Sequence, residues 1–407
     1  MSGDLKHFQD RENAIEVFDQ LWETDTPWIL AFNGVAGQGK STLLDWLEVN
    51  RCIAGSIRYV SLSIGDFSSS FPAFLARIAE SMSAGFSSKN EEEFKHAYEK
   101  ALEDLTHRTL QLAQNQILEG SPQSQQTMTA NITEAVRLLE NQSNSVIIEH
   151  WLKLVRTIGM DAKFVLLLDN YDVYQDLVSL NEIRTLWTIL ERVRQLVSGF
   201  RVVVASREVL LHQEHVESLR RGLGREALQD LSREDSKALL NSLGINDNDF
   251  CDAVYRLANG HPLITTMAAE AWKETPGGLH AKNVPNISGR EKVVEWLQVY
   301  IIKRMDEVLR PAAQWTMLLR WFSFEILNSL LEIPLSDKQY RKLTDYAFII
   351  PSKLVDGRKT GHDLVRKVLI AYLKREQKTN FLGSHKKVSP QLNVVSLPIV
   401  GPIEAGR

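Results

Sequence analysis

Two cysteines in 407 residues, Cys52 and Cys251, are too few for a disulfide framework or a cysteine-built zinc site, which points to a reducing compartment. No stretch approaches the run of about eighteen apolar residues that a membrane-spanning helix needs. The opening MSGDLKHFQDRENA lacks the apolar centre of a secretory signal. A dominant charge is missing as well. The 47 basic residues face 51 acidic ones, whereas a chain built to coat nucleic acid or an acidic membrane is usually clearly basic. No internal repeat of fixed period is present. What remains is an ordinary globular composition, 44% apolar and 24% charged, at a length that suits two to four domains. The expectation is a soluble, cytoplasmic protein without a membrane partner.

Apolar positions at helical spacing from Arg11 to Trp22 predict an opening helix, and Pro27 ends it. Trp28–Phe32 reads as a buried strand, followed by a glycine-rich turn from Gly34 to Gly39 and a helix from Lys40 to about Val49. A second strand is expected at Ile57–Ile64. Helical patterns then run from about Ser68 to Asp161, interrupted by SPQSQQTMTAN at 121–131, which reads as an exposed loop. The apolar runs Phe164–Leu168 and Phe200–Ala205 suit parallel strands buried on both faces, with a helix at 181–197 between them. Strands alternating with helices predict an α/β doubly wound parallel sheet. Beyond it, residues 226–273 show short helical patterns, 276–286 reads as a linker, and 288–375 combines helices with a small hairpin signal, the outline of a winged helix. The expected domains are 1–210 with a helical insertion at about 85–160, a helical lid at 211–285, a winged helix at 286–375, and an extended tail at 376–407.

GVAGQGKS at 34–41 matches G-x-x-x-x-G-K-[ST] and stands between a predicted strand and a predicted helix. Gly34, Gly37 and Gly39 let the backbone wrap a phosphate chain closely, with main-chain amides and a helix N-terminus aimed at the anion. Lys40 supplies a positive charge for the β- and γ-phosphates, and the Ser41 hydroxyl suits Mg²⁺. Asp169, ending the strand FVLLLD, is the carboxylate expected to help hold that ion; read alone it is an aspartate at a turn. Hydrolysis needs a base or a water-orienting group. Asn170 cannot take a proton, so the candidate is Asp172. Arg207, at the end of VVVASR, would share a sheet rim with Asp169 and could read a terminal phosphate; read alone it is a solvated strand-end arginine.

With these residues in place, the chain resembles the STAND signal-transduction ATPases, relatives of the AAA+ class, over about residues 5–375. HFQDRENA at 7–14 is similar to the family's F-x-G-R-E segment, with Asp10 in place of glycine, and implies Phe8 and Arg11 beside the adenine. GVAGQGKST resembles the Walker A loop, which adds Gln38 and Thr42 to the binding set, and LLLDNYD resembles the Walker B strand. ASR at 205–207 is similar to the γ-phosphate-sensing strand end. LQDLSREDSKALLNSLGI at 228–245 resembles the opening of the lid, and NGHPLI at 259–264 the G-x-P motif, whose proline, here Pro262, packs on the nucleotide. TGHDLVRKVL at 360–369 resembles the M-H-D motif, which implies that His362 contacts the β-phosphate of ADP. Taken alone, His362 is a surface or helix-capping histidine and Asp363 a good N-cap. His261 reads as a loop residue.

The resemblance implies an ATP/ADP switch with Mg²⁺ and slow hydrolysis. Domain opening would be coupled to homo-oligomerisation or to release of a signalling partner's surface. Two departures stand out: Asn170 in place of a second acidic residue, and the 129 positions that separate Lys40 from Asp169. The alternative is a DNA-acting ATPase whose winged helix grips duplex DNA. Residues 288–375 hold 16 Lys and Arg against 10 Asp and Glu, which favours it modestly.

Overall fold

A computed structural model describes residues 8, 11–23, 26–63, scattered positions between 92 and 107, 145, 147–156, 162–177, 179–207, 210, 216–319, 321–352 and 358–376. Most of the expected insertion, the loop at 121–131, the Asp356-Gly357 turn and the tail from 377 lie outside these residues. The chain divides into two compact units. One gathers Ala14–Phe32 and Leu47–Glu226; the other gathers the N-terminal residues through Asn13, Asn33–Trp46, and the chain from Ala227 onward.

Five strands, β1 (Ile29–Asn33), β2 (Arg58–Ser63), β3 (Phe164–Asp169), β4 (Phe200–Ser206) and β5 (Leu223–Ala227), form a parallel sheet in the order β2-β3-β4-β1-β5. The sequence dictates its centre. All six residues of β3 are buried, as an apolar run covered on both faces requires. Phe164 pairs with Arg58 on β2 and with Phe200 on β4. Parallel neighbours need a crossover. Between β3 and β4 it is made by two helices, α3 (Tyr171–Leu177) and α4 (Leu180–Leu196). Helix α4 starts in a capping box between Ser179 and Glu182, and buries Ile183, Leu186, Trp187, Leu190 and Val193 at helical spacing. Deep in this core Trp187 Nε1 donates to the Tyr171 hydroxyl at 2.6 Å.

The expected strands and helices at 11–22, 28–32, 40–49, 57–64, 164–168, 181–197 and 200–205 are present, all but one within a residue or two of their predicted ends; α1 (Glu12–Asp19) gives way to a 3₁₀ turn at Gln20–Trp22, and α2 spans Lys40–Leu47. Two elements escaped the sequence pattern. Strand β5 reads LGREA, largely polar, and it extends the sheet beyond residue 210. Helix α3 is only seven residues long, too short to establish a period.

A short helix, α5 (Glu217–Gly222), leads into β5; in the other unit the chain then continues as α6 (Arg233–Ser242), α7 (Asn248–Ala258) and α8 (Pro262–Lys273). Then come α9 (Arg290–Arg304), α10 (Leu309–Leu318), α11 (Phe324–Leu330), α12 (Asp337–Thr344), the antiparallel hairpin β6 (Ile349–Pro351) and β7 (Lys359–Gly361), and α13 (Asp363–Glu376). Phe322 adds a bridge to Lys359 at the hairpin edge. One apolar core runs from Leu240 to Leu369 without a break. The segment expected as a linker belongs to it: Leu279 is buried, and Gly277 and Gly278 turn the chain with positive φ. Cys52 and Cys251 are both buried and unbonded to each other. Burial pushes the Cys52 thiol up to about 12, aided by Glu48, so it is not a thiolate nucleophile.

Candidate functional site

The motif GVAGQGKS forms the turn between the end of β1 at Asn33 and the start of α2 at Lys40. Gly37 and Gly39 take φ of 85° and 84°, the left-handed region that disfavours side chains. Space restricts the loop too. A Cβ on Gly37 would lie 2.6 Å from His261 Cε1, and one on Gly34 would collide with the Gln38 side-chain oxygen.

Each carbonyl from Asn33 to Gly39 accepts a hydrogen bond. Asn33 receives Leu228 N at 2.8 Å, Gly37 receives Leu263 N at 3.3 Å, and Gly39 receives Leu43 N at 2.8 Å. Lys40 Nζ donates to Gly34 at 2.6 Å and to Val35 at 2.9 Å. Ala36 receives His261 Nε2 at 3.0 Å, and Gln38 receives Arg11 Nη2 at 2.8 Å. Because a peptide unit is planar, holding each carbonyl also sets the direction of the following N–H. The amide direction that makes such a loop an anion cradle is thus imposed largely from its carbonyl side.

Arg11 is buried and spans two backbones, donating to Gln229 O at 3.0 Å as well as to Gln38 O. Gln38 in turn accepts Val35 N at 2.7 Å and donates to Asp230 Oδ1 at 3.0 Å. Asp230 Oδ2 accepts from Arg290, the first residue of α9, at 2.9 Å. Phe8 stacks on Trp46 of α2, ring centroids 5.1 Å apart. Ser41 and Thr42 lie in the first turn of α2, partly buried.

His261 is not a plain loop residue. It is fully buried and sits at the N-cap of α8, followed by Pro262 at the first helical position. A carbonyl can only accept, so the proton toward Ala36 is on Nε2; the bare Nδ1 then accepts Ile264 N at 3.4 Å. Burial, with a smaller push from Arg290 and Lys40, lowers this imidazole to about 4, which keeps it neutral in that tautomer. The sequence signal was weak because N-caps are usually Ser, Thr, Asp or Asn. The proline immediately after it was the clue available.

The strand ends carry the other candidates. Asp169 is buried at the end of β3, and its Oδ1 accepts Asn170 N at 2.9 Å. Asn170 adopts φ of 56° and donates from Nδ2 to Ser63 Oγ, at the end of β2, at 3.0 Å. Asp172, also buried, accepts Arg207 N at 3.2 Å and Arg207 Nε at 2.5 Å. Since β4 lies between β3 and β1 in the sheet, Arg207 follows the strand flanked by the one ending in Asp169 and the one that leads into the glycine loop. Among the described residues no group of three or more His, Cys, Asp or Glu is placed to hold a metal by itself. Asp169 ends its strand with carboxylate oxygens and Ser41 carries a hydroxyl in the first turn of α2, both oxygen donors of the kind Mg²⁺ takes.

His362 precedes α13; its N donates to Phe348 O at 2.7 Å and its Nδ1 accepts Leu364 N at 3.3 Å. The histidine therefore takes the capping position, and Asp363, read as the N-cap, is instead the exposed first helical residue.

No protein-family model matches the chain, and no curated protein matches it. Solved structures do resemble it. A Walker-type ATPase of Pyrococcus abyssi is 13% identical, over 89% of this chain and 96% of that one, at a TM-score of 0.44. Cdc6p of Pyrobaculum aerophilum is 12% identical, over 92% and 99%, at 0.41. The ORC2 protein of Aeropyrum pernix is 10% identical, over 89% and 93%, at 0.37. Similarity of that extent decides nothing about function, and the STAND resemblance rests on its motifs. No helix among the described residues is long and apolar enough to cross a membrane.

Proposed function

We propose that this chain is an ATP- and ADP-binding switch, a P-loop ATPase of the STAND type whose slow Mg²⁺-dependent hydrolysis times a change in domain arrangement and oligomeric state. The observation that carries the reading is the glycine loop itself. It stands between a sheet strand and a helix, with positive φ at Gly37 and Gly39 and Lys40 at the helix start. Lys40 now donates to two loop carbonyls, so binding a phosphate exchanges those acceptors for a stronger, charged one. Arg11, Leu228, His261 and Leu263 all hold the loop, which makes the segments expected as the adenine-side strap and lid responsive to what the loop contains.

Ser41 and Asp169 would hold Mg²⁺, which supplies charge neutralisation to the phosphates when bound. Arg207 would read the γ-phosphate, with Asp172 fixing its direction. Slow hydrolysis is supported by two residues that follow shortly after Asp169: Asn170 cannot accept a proton and is turned to Ser63, while Asp172 is engaged by Arg207. Pro262 and His362 carry the expected closure over ADP, on the strength of the motif resemblance. The experiment is to identify the nucleotide that co-purifies and to compare molar mass with ADP and with a non-hydrolysable ATP analogue. ADP carried through purification and a larger assembly with the analogue are expected; identical mass in both states would end the switch reading.

A second reading, duplex DNA binding, draws on α12 and the adjoining hairpin. The order α10, Phe322, α11, α12, β6 and β7, with the bridge at Phe322, supports reading this segment as a winged helix. Lys338, Arg341 and Lys342 are exposed on α12. Duplex affinity that falls steeply between low and physiological salt would favour it.

A further inference from the structure

His261 holds a place that its neighbours in sequence do not explain. Helix α8 needs an N-cap, and the imidazole Nδ1 supplies one to Ile264 N, but at 3.4 Å this is the weaker of its two bonds. The shorter bond, 3.0 Å, runs from Nε2 to the carbonyl of Ala36, 225 positions earlier and in the middle of the glycine loop. The ring is wholly buried and packs so closely on the loop that Gly37 has no room for a Cβ: His261 Cε1 is 2.6 Å away and Leu263 Cβ 3.0 Å. Leu263 N reaches Gly37 O from the same turn. Two consecutive loop peptides are therefore oriented by one helix start.

We propose that His261 is a positioning residue of the phosphate loop: through Ala36 O it sets the peptide that aims the Gly37 amide, so that nucleotide affinity depends on where the start of α8 sits. The inference rests on the reading that this loop binds nucleotide phosphates. It differs from the role the motif resemblance gives this segment, in which the proline packs on the nucleotide, because His261 acts on the loop backbone. The neutral tautomer is what makes the device work. One nitrogen must donate to the loop while the other accepts from the helix, and a neutral ring does both. Coupling of this kind is reciprocal: displacing α8 would loosen the loop, and filling the loop would favour the docked α8.

Two substitutions separate the loop bond from the helix cap. In His261→Asn the side-chain oxygen replaces Nδ1 and keeps the cap, but nothing reaches Ala36. In His261→Gln the longer amide places a donor near Nε2, which keeps the loop bond while weakening the cap. Two readouts apply to the full chain: binding of fluorescent ADP, and hydrogen exchange of the loop amides at 36–40 without nucleotide. The expected result is a tenfold or greater loss of ADP affinity and faster loop exchange in His261→Asn, with both near wild type in His261→Gln. If affinity and exchange instead follow thermal stability, or if both are unchanged in His261→Asn, the proposal is overturned. If wild type binds no nucleotide, the loop reading fails, and exchange of the loop amides alone decides whether His261 holds it.

Discussion

Asp172 and Arg207 are joined twice: the carboxylate accepts both the backbone amide of Arg207 and its guanidinium Nε. Asp172 is nearly buried, with a side-chain exposure of 7%, while Arg207 keeps 40% of its side chain in solvent. One partner is an anchor and the other is presented. Asp172 thereby holds the guanidinium of Arg207, and whether it also serves as a base is what Asp172→Asn decides.

Asp172→Ala should lower stability by about 1–2 kcal/mol, less than a fully buried pair because the arginine is partly solvated. More tellingly, if Arg207 reads the third phosphate as proposed, the preference for ATP over ADP should shrink once its guanidinium is loosened. Urea unfolding measures the first effect and paired binding titrations the second. Were Asp172 the base, Asp172→Asn would remove turnover while leaving the two affinities in the same ratio.

His261 gives the chain a pH dependence of predictable sign. Unfolded, the imidazole gains its proton near 6.5; folded, it resists until about 4. The unfolded state thus binds more protons between those values. The stabilising contribution is complete above about 6.5 and is lost as pH falls to about 4, amounting to about 3 kcal/mol. Carboxylates titrate in the same range, so the measurement is a difference: urea midpoints at pH 7 and pH 4.5 for wild type and His261→Gln. The variant should lose less.

Gly37→Ala tests the loop's shape without touching its charge. The φ of 85° and the ring of His261 both oppose a methyl group. The expected cost is about 1–3 kcal/mol of stability, together with weakened nucleotide binding, read by thermal unfolding with and without ADP. Gly39→Ala makes the comparison sharper, because its φ is similar but nothing lies within 4 Å of an added Cβ. It should be the milder of the two.

Much of this was legible in the residues, and the reason differs by element. β3 announces itself because a strand covered on both faces is an unbroken apolar run, and β4 nearly so, its run interrupted only at Arg201. The glycine loop is legible because close backbone approach and positive φ permit few residue types. β5 was hidden because LGREA carries little apolar signal and depends on pairing with the strand beside it. The Asp172–Arg207 pair joins residues 35 positions apart, and no local pattern records such a pairing. Arg11 also grips the backbone at Gln38 and Gln229, contacts that no local pattern around it records. His261 escaped for a related reason: its importance lies in a contact with Ala36, which only the folded chain brings near.

The central claim, that the turn between β1 and α2 receives the phosphates of a nucleotide, is tested most directly by calorimetric titration of ADP and ATP with Mg²⁺ into wild type and Lys40→Ala. Wild type should bind both, and the variant should lose about a hundredfold or more in affinity, about 2.7 kcal/mol, while unfolding at a similar temperature. Equal affinity in the two proteins, or no binding by wild type stripped of any carried nucleotide, would contradict the account.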